Sequence, residues 1–145
     1  SKKMAVSRFS TNSTTLVLNG ELIKDFINGD VIELAFVNPK TSRTYGANGA
    51  VNVTERSDSK VATLKVNLMR YSDNDVWMTE MMNNESVVIF EGSLKEVYIK
   101  DGSESVESWE ILSGSFTEQN GVTKNNVETN GTVSYTIECF ARRLV

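Results

Sequence analysis

The sequence predicts a mainly β domain, a β-sandwich or half-barrel with one flanking α-helix. Three observations predict it. Short stretches of alternating apolar and polar residues recur along the chain, which is the period of a half-buried strand. Asn-Gly pairs at Asn19-Gly20, Asn120-Gly121 and Asn130-Gly131 punctuate those stretches with hairpin turn signals. Only one stretch, Ser72 to Asn84, reads as a helix.

That helix follows the best strand. Ala62, Leu64, Val66 and Leu68 alternate with Thr63, Lys65 and Asn67. Ser72 is then an N-cap, and Asp73 and Asp75 complement the positive end of the helix dipole. Val76, Trp77, Met78 and Met81 form the expected apolar stripe, and Asn83-Asn84 ends the helix.

The remaining elements follow in chain order. Residues 1–13 are polar without a clear period and read as a flexible N-terminal arm. Thr14–Leu18 is a strand, and Glu21–Phe26 returns from the Asn19-Gly20 turn. Asn28-Gly29-Asp30 is a second turn before a strand from Val31 to Val37, which Pro39 stops. Asn38–Asn48 reads as a long loop, and Ala50–Glu55 as a short strand. Glu85–Phe90 contains the continuous run Val87-Val88-Ile89-Phe90, which predicts a strand covered on both faces. Leu94–Lys100 alternates, Asp101–Ser105 is an acidic turn, and Val106–Phe116 is a strand with a bulge near Ser113-Gly114-Ser115. Thr132–Ala141 alternates cleanly, with Val133, Tyr135, Ile137 and Cys139 on one face.

Composition narrows the chemistry. The 145 residues fit a single domain, residues 1–145, with 39% apolar and 23% charged residues. No apolar run is long enough to span a membrane, and the first residues carry no apolar leader pattern. There is no histidine and one cysteine, Cys139. That removes Ser-His-Asp and Cys-His catalysis, histidine-ligated zinc, multi-thiolate metal sites and internal disulfides. Residues 1–72 carry ten Lys/Arg and six Asp/Glu, a balance of +4, whereas residues 73–145 carry five and thirteen, a balance of −8; together these give the net charge of −4. Such asymmetry allows one face of a subunit to attract another face of its neighbour. An acidic chain is poorly suited to gripping phosphates.

Candidate sites are few. Glu104, Glu107 and Glu110 recur every three residues, so successive members fall on opposite faces of a strand and no paired acid/base site is expected. Asp73 and Asp75 lack the pattern of a calcium loop. Gly46-Ala47-Asn48-Gly49 lacks the lysine of a phosphate loop. Trp77 and Trp109 would suit a sugar platform if exposed, but their positions favour core packing. No enzyme, cofactor or metal is expected. More informative are the small polar faces Thr63-Lys65-Asn67 and Ser134-Thr136-Glu138, which suit ordinary exposure or a water-filled lumen built from several subunits.

The order of features resembles the tail tube proteins of tailed bacteriophages, particularly small ones from contractile tails. The resemblance rests on Asn19-Gly20, then Phe26-x-x-Gly29-Asp30-x-Ile32-x-Leu34, then the hairpin strand Gly49–Glu55. Thr63-Leu64-x-Val66-x-Leu68 then leads into Ser72-x-Asn74-Asp75-Val76 and the helix. Lys60 stands where that pattern has a glycine. The resemblance covers Thr14 to Met82; the rest matches as a general strand pattern. It implies a structural virion protein forming homo-hexameric rings that stack into a tube, a β-barrel conduit for DNA ejection. Its partners would be further copies of itself, a sheath, baseplate or initiator proteins and a tape-measure protein. Double-stranded DNA would pass without specific binding, and the chain would not insert into a membrane. Its location would be the virion tail, and the host cytoplasm during assembly. On this reading Thr63, Lys65, Asn67, Ser134, Thr136 and Glu138 face the lumen. The Asn38–Asn48 loop, with Lys40, Arg43 and Tyr45, contacts the next ring.

The rival readings are a bacteriocin or type VI secretion tube subunit, a tail-completion or baseplate protein of the same fold, and a monomeric β-sandwich ligand-binding module such as a carbohydrate-binding domain.

Overall fold

The computed structural model describes residues 14–27, 32–119 and 131–145. The predicted N-terminal arm, the Asn28-Gly29-Asp30 turn, the start of the following strand at Val31 and the turn pairs Asn120-Gly121 and Asn130-Gly131 lie wholly or partly outside the described residues.

The described residues are mainly β with one helix. Its elements are β1 (Thr14–Leu18), β2 (Glu21–Ile23), β3 (Ile32–Phe36), β4 (Thr41–Tyr45), β5 (Val51–Glu55), β6 (Val61–Met69), α1 (Asp73–Met82), β7 (Phe90–Lys100), β8 (Ser103–Phe116) and β9 (Thr132–Arg143). Seven strands form one antiparallel sheet in the order β2-β1-β7-β8-β9-β6-β3, and β4 and β5 form a separate two-stranded ribbon.

The large sheet rolls around its own core. Leu16, Leu18, Leu64, Val66, Leu68, Phe90, Ile111, Tyr135 and Ile137 are all buried, each from the alternate positions of its strand. Two contacts reveal the roll. Ile23 ends β2 at one margin of the sheet, yet three residues later Phe26 bridges to Leu68 of β6, near the other margin. At the opposite end of the strands, the rings of Phe36 on β3 and Trp109 on β8 lie 5.8 Å apart. Three strand spacings separate β3 from β8, about 14 Å in a flat sheet. Ala62, Cys139 and Ala141, small and buried on the intervening strands, leave room for the rings to meet.

The helix closes the core. Ser72 caps it, accepting from the Asp75 amide at 3.3 Å. Met78 is fully buried, and Trp77 packs on Phe90 with ring centroids 5.9 Å apart. The expected apolar stripe needs correction at Val76, which is half exposed and points outward. The buried side instead begins with two polar residues, Asn74 and Asp75. Their hydrogen bonds, described below, orient the helix.

Four further expectations are corrected. The Asn38–Asn48 stretch is not one loop: Thr41–Tyr45 forms β4, paired with β5 from Thr41↔Glu55 to Tyr45↔Val51. Both faces of this strand are exposed, so it lacks the apolar alternation by which strands are read. Glu85–Phe90 is not a covered strand: only Phe90 enters β7, and Val87 is 80% exposed. The Glu21–Phe26 strand shortens to Ile23, because the amides of Lys24 and Asp25 donate to the Asn74 side chain instead of a ladder. The acidic turn tightens to Asp101-Gly102, both at positive φ, with Lys100 paired to Ser103.

The bulge falls where expected. Pairing of β8 with β9 shifts between Leu112 and Ser115, and Ser113 has φ 54°.

Candidate functional site

The six predicted wet-face residues come together. β6 and β9 pair with the register Thr63↔Glu138, Lys65↔Thr136 and Asn67↔Ser134. Their neighbours Leu64, Val66, Tyr135 and Ile137 are buried, so these three pairs occupy the outer face of the rolled sheet. Lys65 and Glu138 are exposed and the other four are half-buried. Ser134 donates to the Asn67 side-chain carbonyl at 2.6 Å, locking one pair.

The face widens onto β3, which sequence reading had not linked to it. Glu33 pairs with Lys65 and Ala35 with Thr63. Lys65 thus lies between a directly opposed Glu33 and a diagonal Glu138, within the reach of cross-strand pairs. Beyond β3 no further strand pairs among the described residues, so Ile32–Phe36 is an open edge. Toward one end the polar face gives way to an apolar row: Val37, which follows β3, then Val61, Phe140 and Leu112 on β6, β9 and β8. Val37, Phe140 and Leu112 are each more than a third exposed.

The ribbon carries the other predicted set. Arg43 and Tyr45 share one of its faces with Val51 and Val53, and Lys40 precedes it; all of them are exposed. Ser42, Thr44, Asn52 and Thr54 form the opposite, small polar face. Its base is stapled. The Arg56 amide donates to the Lys40 carbonyl at 3.0 Å, and the Asn38 side chain donates to the Asp58 carbonyl at 3.2 Å. Arg56 also grips Asp58 through two bonds of 2.9 and 3.0 Å, and this hydrogen bonding holds the Asp58 carboxyl below its usual range.

Other candidates disperse. Glu107 pairs with Arg143 at 3.3 Å and Glu110 with Arg142 at 2.9 Å, on opposite faces of β8, while Glu104 lies near the β7–β8 turn. No group of three metal-ligating side chains forms among the described residues. Asp73 is exposed at the start of the helix, whereas Asp75 is buried and does more than cap. Its Oδ2 accepts from the Tyr71 amide at 2.8 Å and its Oδ1 from the Tyr135 hydroxyl at 2.5 Å. Burial, then the hydrogen bond to Asp75, pushes the Tyr135 hydroxyl up to about 12. Burial likewise pushes the Cys139 thiol up to about 11. Neither tryptophan is an exposed platform: Trp77 packs on Phe90 and Trp109 on Phe36.

No protein family matches the chain, and no curated protein matches it.

The arrangement combines a polar face on adjacent long strands, an open strand edge bordering that face, and a ribbon whose apolar side is exposed among the described residues.

Proposed function

We propose that the chain is a structural subunit of a phage tail tube, forming hexameric rings that stack into a conduit for double-stranded DNA in a contractile tail. One observation carries the reading: the cross-strand polar face of β6 and β9 runs up to the open edge of β3. An edge strand of this kind can pair with a neighbouring chain and extend the hydrated face from one subunit to the next.

The roll of the sheet adds a condition. The core occupies the inside of the roll, so the wet face lies outside it. Any lumen bounded by that face exists only between copies. The protruding ribbon fits contact between rings, since its Tyr45, Val51 and Val53 side chains are uncovered. A net charge of −4 disfavours adhesion of passing DNA. Sheath, initiator and tape-measure proteins are the partners such a tube would engage.

Negative-stain electron microscopy of concentrated protein, after prolonged incubation, tests the proposal. Hollow tubes or stacked rings are expected. A field of monomers with or without an added tail initiator complex would overturn it in favour of a monomeric binding module.

A further inference from the structure

We propose that a groove between β3 and β8 receives the Glu85–Glu91 segment of a second copy of this chain. The inference rests on the self-assembly reading and names one contact within it.

The groove has a volume of roughly 430 Å3 and an aromatic wall made by Phe36 and Trp109. Lys40, Lys60, Arg142 and Arg143 surround that wall. The two arginines are engaged by Glu110 and Glu107. Lys40 and Lys60 are exposed and form no ion pair among the described residues. Among the described residues the groove therefore presents two cations without an ion-pair partner beside partly exposed aromatic rings.

The Glu85–Glu91 segment has the complementary character. It runs from the end of α1 into the start of β7, Glu-Ser-Val-Val-Ile-Phe-Glu. Phe90 turns into the core, but Val87 is 80% and Ile89 50% exposed. Glu85 and Glu91 are exposed at either end and form no ion pair among the described residues. Such a run of apolar side chains ordinarily signals burial; Phe90 is buried and Val88 packs partly against the core, but among the described residues nothing covers Val87 and Ile89.

The two patches are separate on one chain. The groove sits where β3 ends and β9 finishes, beside Trp109. The segment enters β7 on the other side of the Ser113 bulge, where Phe90 pairs with Gly114. Val87 and Ile89 against Phe36 and Trp109, and Glu85 and Glu91 against Lys40 and Lys60, match apolar with apolar and anion with cation. A contact between two different patches is heterologous: each copy donates with one and accepts with the other, so copies propagate as a ring or filament.

The test is cross-linking between two singly substituted chains. One carries Lys60→Cys; the other carries Glu85→Cys and a mass-distinguishing tag. All substituted positions are exposed, and circular dichroism checks the fold of each chain. Mild oxidation of the mixture should yield a disulfide-linked heterodimer. Its rate should fall about tenfold when Val87→Asp is added to the second chain, and should fall as salt is raised. No heterodimer, or one that forms equally fast with Val87→Asp, overturns the contact. Microscopy of the unsubstituted protein separates the two readings. Tubes without the cross-link would leave the tube reading standing and remove this contact. A cross-link without tubes would keep the contact and remove the tube.

Discussion

The hydroxyl of Tyr135 on β9 donates to Oδ1 of Asp75 on α1 at 2.5 Å and lies 2.9 Å from the Thr79 hydroxyl one turn further along the helix. This buried pair ties the helix to the strand that lies beneath it. Replacing Tyr135 with Phe should cost about 1–3 kcal/mol, because the Asp75 carboxylate loses a buried partner. Chemical denaturation at neutral pH measures it.

The same pair predicts an alkaline limit. The Tyr135 proton is held to about pH 12 in the folded chain, against 10.0 ordinarily. A raised value means that the stabilisation is complete below pH 10 and is lost as pH rises through about 12. Roughly 2–3 kcal/mol should disappear over that window. Stability curves at stepped pH should show the decline in the native chain, and this contribution should be absent from Tyr135→Phe.

Asn74 is the second bolt. Its Oδ1 accepts from the amides of Lys24 and Asp25 at 2.7 and 3.0 Å, and its Nδ2 donates to the Leu22 carbonyl at 3.1 Å. Asn74→Ala should destabilise by about 2–4 kcal/mol, since it strands three backbone groups at once. Hydrogen exchange should also quicken at Lys24 and Asp25. Protection unchanged at those two amides would contradict the assignment.

At Gly92 the constraint is steric. A Cβ there would lie 1.9 Å from the Val17 carbonyl oxygen, across the β1–β7 pairing. Gly92→Ala should cost about 1–3 kcal/mol by forcing those strands apart. A lowered midpoint with an unchanged denaturant slope is the expected result.

The ribbon should be dispensable for folding and necessary for assembly. All ten residues of β4 and β5 are exposed. Replacing residues 41–55 with a short Gly-Ser linker should leave the thermal midpoint within a few degrees and abolish tubes. A companion experiment tests sidedness. Thr136→Cys should react with both small and polymer-linked maleimides as a monomer, and with the small reagent alone once tubes have formed.

Ser72-x-Asn74-Asp75 shows how much of the fold and of the candidate surface was legible. The sequence identified this stretch as a helix start, and Ser72 does cap it. Its larger role, joining the helix to β2 and β9, depends on residues about 50 to 60 positions away and leaves no local period. The wet face was readable because Leu64, Val66, Tyr135 and Ile137 alternate against it and fix its parity. β4 was not, because a strand exposed on both faces has no apolar alternation. The run Val87-Val88-Ile89 misled for the opposite reason: Val88 packs partly against the core, but Val87 and Ile89 stay exposed, so its apolar character does not mark a covered strand. The groove was invisible, since Phe36 and Trp109 meet only when the sheet rolls.

The burial of Cys139 has a practical consequence. The chain holds one thiol, 3% exposed, on the core face of β9 and paired with Ala62 of β6, with its ionisation pushed up to about 11. A thiol that is both shielded and protonated reacts only while the strands around it are parted. The speed with which a thiol reagent captures Cys139 is therefore a clock for the opening of β9. Compared between free chains and assembled ones, it measures how much an assembly slows the breathing of each subunit.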